Sequence, residues 1–372
     1  MRIASVVGTR PQLIKVAALF PALRARHNEV LIDTGQHWDE ALAGAFFEEL
    51  GLPRPDHSLA IGGGSTAEQI GRMLPAVAAV LADERPDAAL VYGDTNSTLA
   101  GALAASTLGI PVAHVEAGLR SFDARMPEET NRRLTDHLSR WLFAPTPTAV
   151  ANLAAEGIRD GVALVGDVMQ DLVARVAAEV RDPACLEPIA RRLNLDLRPG
   201  GYVFATVHRA ENRSPNAIRA WAAILAAAAR PDRPVVLALH PGTRDAVDAS
   251  GVTLGTAVRV VEPQGYRSAL ALQLHAAAVV TDSGGVQREA AWLGVPTLVL
   301  RRTTEWLEAV EASGGSMIVL ELDAGRAAAE LERLAPVGPS AEEAAHERAA
   351  RLSLGPSGAA DAIAAALGER PA

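Results

Sequence analysis

The sequence predicts an α/β fold of two domains, each a parallel β-sheet covered by helices. Three observations carry this. Short apolar, β-branched runs alternate with Ala- and Leu-rich helical stretches along nearly the whole chain. The runs are almost continuously apolar, as strands covered on both faces are. A Pro/Gly break at Arg191–Gly201 separates the runs into two sets. The length of 372 residues agrees with more than one domain or one large α/β unit.

The first set of expected strands is Ile3–Val7, Glu29–Asp33, Ala88–Tyr92, Pro111–Val115, Trp141–Pro145 and Val162–Gly166. The second is Tyr202–Thr206, Pro234–His240, Val258–Glu262, Ala278–Asp282, Pro296–Leu300 and Ser316–Leu320. Helical patterns fill most intervals. The expected boundaries are an N-terminal domain over 1–167 and a second over 168–356, with a last helix at 357–372 returning to the first. A further amphipathic helix is expected over 341–352. A short echo links the halves: strand, acid, helix, Leu-Gly-x-Pro, strand, starting at Asp94 and again at Asp282. Ligands of such sheets sit beyond the carboxyl ends of the strands, and two facing domains would bring these ends around one cleft.

Composition narrows the function. A hydrophobic fraction of 49% supports a sizeable core, and with aromatics at 4% the aliphatic residues must do the packing. The formal charge of −9 argues against a nucleic-acid partner, although a local basic cluster could still hold a small anion. One cysteine, Cys185, excludes an internal disulfide and a cysteine-based zinc site. The opening MRIASVVGTRP reads as a strand and turn, not a leader peptide. No apolar run reaches roughly 18 residues. The expectation is a soluble cytoplasmic protein with no membrane partner.

The chemistry-bearing residues follow strand ends. In GTRPQLIK (Gly8–Lys15), Gly8 permits close backbone approach, Pro11 suits the first helical turn, and Arg10 and Lys15 add charge where a helix start already attracts anions. In TDSGGVQRE (Thr281–Glu289), Ser283, Gly284 and Gly285 open a helix straight after a strand, and Glu289 one turn on could accept two ribose hydroxyls. The chain has neither a G-x-G-x-x-G fingerprint nor a phosphate loop ending in Gly-Lys-Ser/Thr, which counts against NAD or ATP held by those routes. Asp94 and Glu116 each follow an apolar strand, and Glu128 and Glu129 follow Pro127 at a helix start. These acids either cap helices, Asp94 ahead of the helix at Ser97, or converge on a substrate. His208 and Arg209 end another strand in TVHRAEN.

Taken together, GTRPQLIK, TGQH (Thr34–His37), GDTNST (Gly93–Ser97 and Thr98), HVEAGLRS (His114–Ser121), PEETNR (Pro127–Arg132) and TDSGGVQRE resemble the non-hydrolysing UDP-N-acetylglucosamine 2-epimerases, in the right order over nearly the whole chain. The resemblance implies two Rossmann-like domains in the glycosyltransferase-B architecture and a homodimer. It implies interconversion of UDP-N-acetylglucosamine and UDP-N-acetylmannosamine with no NAD, metal or other cofactor. The C2 hydrogen of the sugar is not acidic, so the route it implies eliminates UDP across C1–C2 and adds it back to a 2-acetamidoglucal. By resemblance Asp94, Glu116 and Glu128 are the catalytic acids and His208 lies near the diphosphate. Arg10, Lys15, Gln36, His37, Arg132 and Arg209 are matched to substrate or phosphate contacts, and Ser283, Gly284, Gly285 and Glu289 to UDP.

Three departures separate the chain from the commonest pattern. It reads EWLE at Glu305–Glu308, GDVMQD at Gly166–Asp171, and GGGST at Gly62–Thr66 where an allosteric Arg-Gln pair is expected. The first two resemble the branch acting on UDP-2,3-diacetamido-2,3-dideoxyglucuronate, whose carboxylate Arg120, Arg125, Arg301 or Arg302 could meet. A glycosyltransferase of the same fold and a non-catalytic UDP-sugar sensor are the rival readings.

Overall fold

The computed structural model describes residues 1–36, 47, 49–302, 304, 306–320, 322–334 and 355–368. The expected helix over 341–352 and the candidate His37 lie outside the described residues. The chain divides into two compact units, Met1–Leu172 with Leu354–Ala372, and Val173–Ser353.

The first unit is built on β1 (Arg2–Val7), β2 (Asn28–Asp33), β3 (His57–Ser58), β4 (Ala88–Tyr92), β5 (Val112–Val115), β6 (Trp141–Ala144) and β7 (Val162–Leu164). They pair in the order β3-β2-β1-β4-β5-β6-β7, all parallel. The second unit holds β8 (Val203–Val207), β9 (Val235–Leu239), β10 (Val258–Val261), β11 (Ala278–Thr281), β12 (Thr297–Val299) and β13 (Met317–Val319) in the order β10-β9-β8-β11-β12-β13, again all parallel. Each expected strand is present within a residue or two at its ends. The added one, β3, is two polar residues long and carries no apolar run to betray it.

Continuous apolar strands are explained by what covers them. In the first unit Ala4, Val6, Val30, Ile32, Ala89 and Val91 pack with Val77 and Leu81 of helix Thr66–Glu84 and Ala102 and Ala105 of helix Asn96–Thr107. In the second, Val203, Ala205, Leu237 and Val280 pack against Ile218, Trp221 and Leu225 of helix Pro215–Ala228. Small alanines let helices approach closely where aromatics are scarce. Helices Pro127–Leu138, Pro147–Ala155, Pro215–Ala228 and Pro241–Ser250 each begin on a proline, whose missing N–H is one the first turn cannot use.

The last described helix, Ala359–Ala366, lies on helix Arg10–Arg26, with the His27 ring 2.7 Å from the Ala364 carbonyl. The segment GDVMQD docks this return. The Gly166 backbone (φ +90°) leaves no room for a Cβ, which would sit 1.9 Å from the Pro356 carbonyl oxygen. The Asp171 carboxylate accepts from Gly358 N at 3.0 Å and Ala360 N at 2.9 Å, capping the helix from outside. These two residues therefore have a structural task independent of any sugar.

Each sheet has one point where strand order reverses, β1/β4 in the first unit and β8/β11 in the second. Crevices that hold ligands open at such points, beyond the carboxyl ends of the strands.

Candidate active-site residues and family relationships

In the first unit the turns after β1, β2, β4 and β5 are tied together. Gly8 follows β1. A Cβ there would lie 2.1 Å from Thr34 Oγ1 and 2.2 Å from Ser97 Oγ, so close approach is what the position requires. Gly8 N donates to Gln12 Oε1 at 2.9 Å, and Gln12 Nε2 donates to the Tyr92 carbonyl at 2.9 Å, joining the β1 and β4 ends. Gln36, after β2, is buried and accepts from Ser97 N (3.0 Å) and Ser97 Oγ (2.8 Å). Arg10 stands exposed at the start of its helix, while Lys15, one turn further, is buried and paired with Glu116.

Asp94 does not cap the following helix. Thr95 does, through a reciprocal box with Thr98, because the hydroxyl one residue on already satisfies the first-turn N–H groups. Asp94 is thereby released to pair with buried Arg132, and its side chain remains 33% exposed. Arg132 also meets Glu129 Oε2 at 3.1 Å, and that oxygen accepts from Ser121 N and Ser121 Oγ, both at 2.8 Å. The paired glutamates are thus divided. Glu129 is buried in this network, and Glu128 is exposed on the first turn of helix Pro127–Leu138. Neither caps the helix, whose N-cap is Met126. Asn131 adds a donor to the Asp94 carbonyl at 3.0 Å.

Glu116 has φ +71°, a left-handed backbone that a residue with a Cβ enters only at a cost. Asp94, Glu116, Lys15 and Arg132 therefore share the carboxyl edge of β1, β4 and β5. Glu128 sits at the start of the helix that carries Arg132.

In the second unit the turns after β8 and β11 meet at Asp282, which sequence reasoning placed only within an internal echo. Its carboxylate is fully buried. It accepts from His208 N at 3.1 Å, Arg209 N at 2.9 Å and Asn212 Nδ2 at 2.9 Å. Asp94 is partly exposed and pairs with the Arg132 side chain, whereas Asp282 is fully buried and ties a loop, so the echo reflects shared βαβ grammar and not a shared role. The His208 ring is 46% exposed with Nε2 4.0 Å from Asp282 Oδ1. Burial nonetheless pushes its pKa below the ordinary range. Asp282 opposes that, and Arg209, His240 and Arg213 add to it. Ser283 Oγ caps helix Gly284–Trp292 by accepting from Val286 N at 3.4 Å, so Gly284 and Gly285 carry the first-turn N–H groups. Glu289, on the same helix, is buried and held by Gln273 Nε2 at 2.8 Å.

Arg120 is removed as a contact for a substrate carboxylate. Its side chain is fully buried and paired with Asp136 (2.8 Å) and Glu156 (2.9 Å). Arg125 is 90% exposed and pairs with its neighbour Asp123. In the EWLE segment, Trp306 is buried beneath the Arg288 guanidinium, 4.1 Å from the ring centroid. Among the described residues no group of three or more His, Cys, Asp or Glu could hold a metal ion. Nor is any helix among them long and apolar enough to cross a membrane.

Two parallel α/β sheets with charged residues at their reversal points define the class of two-domain, glycosyltransferase-B-like proteins. The glycosyltransferase SnogD from Streptomyces nogalater shares this fold at a TM-score of 0.59 and 18% identity, covering 98% of this chain and 99% of that one. Within that class the chain belongs to the UDP-N-acetylglucosamine 2-epimerase family, whose model matches residues 22–368. A UDP-N-acetylglucosamine 2-epimerase homolog of Methanococcus maripaludis is 43% identical over 83% of this chain and 86% of its own length. The UDP-2,3-diacetamido-2,3-dideoxy-D-glucuronate 2-epimerase of Pseudomonas aeruginosa is also 43% identical, over 86% of this chain and 88% of its own. The Methanocaldococcus jannaschii UDP-GlcNAc 2-epimerase, solved with UDP-GlcNAc and UDP, superposes at a TM-score of 0.85 with 36% identity, covering 99% of both chains.

Proposed function

We propose that this protein interconverts UDP-N-acetylglucosamine and UDP-N-acetylmannosamine by eliminating UDP and adding it back through a 2-acetamidoglucal. The observation that carries the reading is the pair of carboxylates at adjacent strand ends, Asp94 and Glu116, each beside a fixed cation. Exchange of a non-acidic C2 hydrogen on opposite faces needs more than one acid/base group, and expulsion of a diphosphate needs charge stabilisation. Asp94, Glu116 and the exposed Glu128 supply the first. His208, Arg10, Lys15 and Arg209, with the N–H groups of Gly284 and Gly285, supply the second. Glu289 is assigned to the ribose, and Gln36, His37 and Arg132 to the substrate. The chemistry asks for no cofactor. A cytoplasmic homodimer goes with this reading, and fractionation and light scattering test it.

The deciding experiment is incubation with UDP-N-acetylglucosamine alone in heavy water. The expected result is a mixture of both epimers with deuterium at C2. Epimers retaining the original C2 hydrogen would sink the elimination route. No isomer without an added acceptor would favour a glycosyltransferase, and binding without turnover a sensor.

A second substrate, UDP-2,3-diacetamido-2,3-dideoxyglucuronate, is favoured by the Pseudomonas aeruginosa relative. The structural use of Gly166 and Asp171 and the burial of Arg120 weigh against it. Side-by-side kcat/KM values separate the two, because discrimination is the ratio of those values.

A further inference from the structure

His114 and Asp136 carry no role in the reaction set out above. His114 is the third residue of β5 and has no exposed surface, and Asp136 lies buried on helix Pro127–Leu138. His114 Nδ1 is 2.7 Å from Asp136 Oδ1, and its Nε2 is 2.7 Å from the Gly93 carbonyl oxygen. Both neighbours are acceptors, so the ring satisfies them together only by donating twice. The second Asp136 oxygen accepts from Gly118 N at 3.2 Å and pairs with Arg120 at 2.8 Å. Burial pushes the Asp136 carboxyl up, but the charges of His114 and Arg120 outweigh it and hold the group below the usual carboxylate range.

This one carboxylate grips two turns. Through His114 it holds Gly93, whose φ of +64° starts the turn to Asp94. Directly it holds Gly118, which ends the turn begun by the left-handed Glu116. Strained backbone persists only where the surroundings over-determine it. A buried ion pair is a poor source of net stability, since packed apolar side chains of the same volume often do as well or better. Its worth here lies in geometry.

We infer that His114 and Asp136 are positioning residues that fix the turns bearing Asp94 and Glu116 relative to each other. The inference rests on the epimerase reading. Displacing a reacting group by about 1 Å can cost on the order of 10²-fold in rate.

The test uses the full chain with UDP-N-acetylglucosamine, sites being counted by titration with UDP. For His114→Gln and Asp136→Asn, kcat per UDP-binding site should fall by about 10²-fold with KM changed far less. The share of turnovers that release free 2-acetamidoglucal and UDP should rise, because re-addition needs the same two acids in register. A merely structural pair would lower the melting temperature and leave kcat per counted site within about twofold of wild type, which would overturn the inference. If either single variant fails to fold, the double variant His114→Gln/Asp136→Asn removes both charges at once and is judged by the same readouts. Wild-type protein that binds UDP and forms no epimer sinks the epimerase reading and this inference with it. Wild-type protein that epimerises beside variants that match it sinks the inference alone.

Discussion

Lys15 and Glu116, 101 residues apart in the chain, form a buried ion pair over the backbone of Gly93. A Cβ on Gly93 would lie 2.7 Å from the Lys15 ammonium and 3.3 Å from Glu116 Oε2, so the pair requires glycine beneath it. Removing one member leaves the other charged and buried, a loss of about 3–5 kcal/mol when such pairs are broken. Lys15→Gln should therefore lower the melting temperature as well as the rate. Thermal melts beside kinetics check both, and an unchanged melt would mean that the pair is solvated in solution.

Asp94→Asn and Glu128→Gln keep shape and remove acid/base capacity. Turnover should fall by about 10²–10⁴-fold in each, the usual scale for a lost general acid or base. UDP affinity should hold, since its assigned contacts belong to other residues. Near-normal rates in both would return these acids to a purely structural part.

Asp282→Asn offers one acceptor oxygen to a loop that presents three N–H donors. An unsatisfied buried donor costs about 1–3 kcal/mol, so UDP should bind roughly 10-fold or more weakly. Calorimetry measures this, and an unaltered dissociation constant would show that the His208–Asn212 loop does not contribute to UDP binding.

Gly118→Ala and Gly109→Ala form a matched pair. Both glycines have left-handed backbones, φ +82° and +70°. Around Gly109 there is open space, whereas a Cβ at Gly118 would meet the Ala149 carbonyl oxygen at 2.3 Å. Gly109→Ala should cost about 1–2 kcal/mol from backbone conformation alone. Gly118→Ala should cost clearly more, or prevent the first unit from folding. Denaturant titration of the two variants decides.

His208 gives a pH signature. Its folded-state pKa lies below the unfolded value because burial disfavours the charged ring; Asp282 opposes this, and Arg209, His240 and Arg213 reinforce it. The unfolded chain thus takes the proton first. The stabilisation is present above about pH 6.5 and is lost as pH falls through the folded value. Wild type should lose more thermal stability than His208→Gln over that interval. The difference will be small because the ring is 46% exposed. Parallel pH profiles would count against a depressed pKa.

The loop at Gly62–Thr66 predicts simpler regulation. Arg72 donates to the Gly62 carbonyl at 3.0 Å and to that of Gly63, and Ser65 and Glu68 close a capping box. With these groups engaged and the Arg-Gln pair absent, conversion from UDP-N-acetylmannosamine should start without added UDP-N-acetylglucosamine. A lag abolished by that nucleotide would refute this.

What could be read ahead of the structure followed from locality. A strand buried on both faces writes its apolar run into consecutive residues, and an acid just after it falls on the ligand-binding edge, which is how Asp94 and Glu116 stand out. His114 and Asp136 are invisible by that route. One looks like a core residue within a strand and the other like an ordinary helix-surface acid; the register of β4 with β5 brings His114 to Gly93, and the placing of helix Pro127–Leu138 beside the turn after β5 brings Asp136 to Gly118. The same holds for Asp171, whose partners Gly358 and Ala360 are 187 and 189 residues away. Asp94 was open to a capping reading because Thr95, one residue on, competes for the same N–H groups and wins.

Helix Ala359–Ala366 closes the first unit, yet the whole of Val173–Ser353 is synthesised before it. At about 5–20 residues per second, roughly 10–40 s separate the emergence of Leu172 from that of its last structural neighbours. During that interval the face of helix Arg10–Arg26 that receives helix Ala359–Ala366 is uncovered on the ribosome, while the second unit can mature. The unit that holds the first sheet is begun before the second and completed after it, and a chaperone binding the nascent chain would find its apolar target on that uncovered helix face.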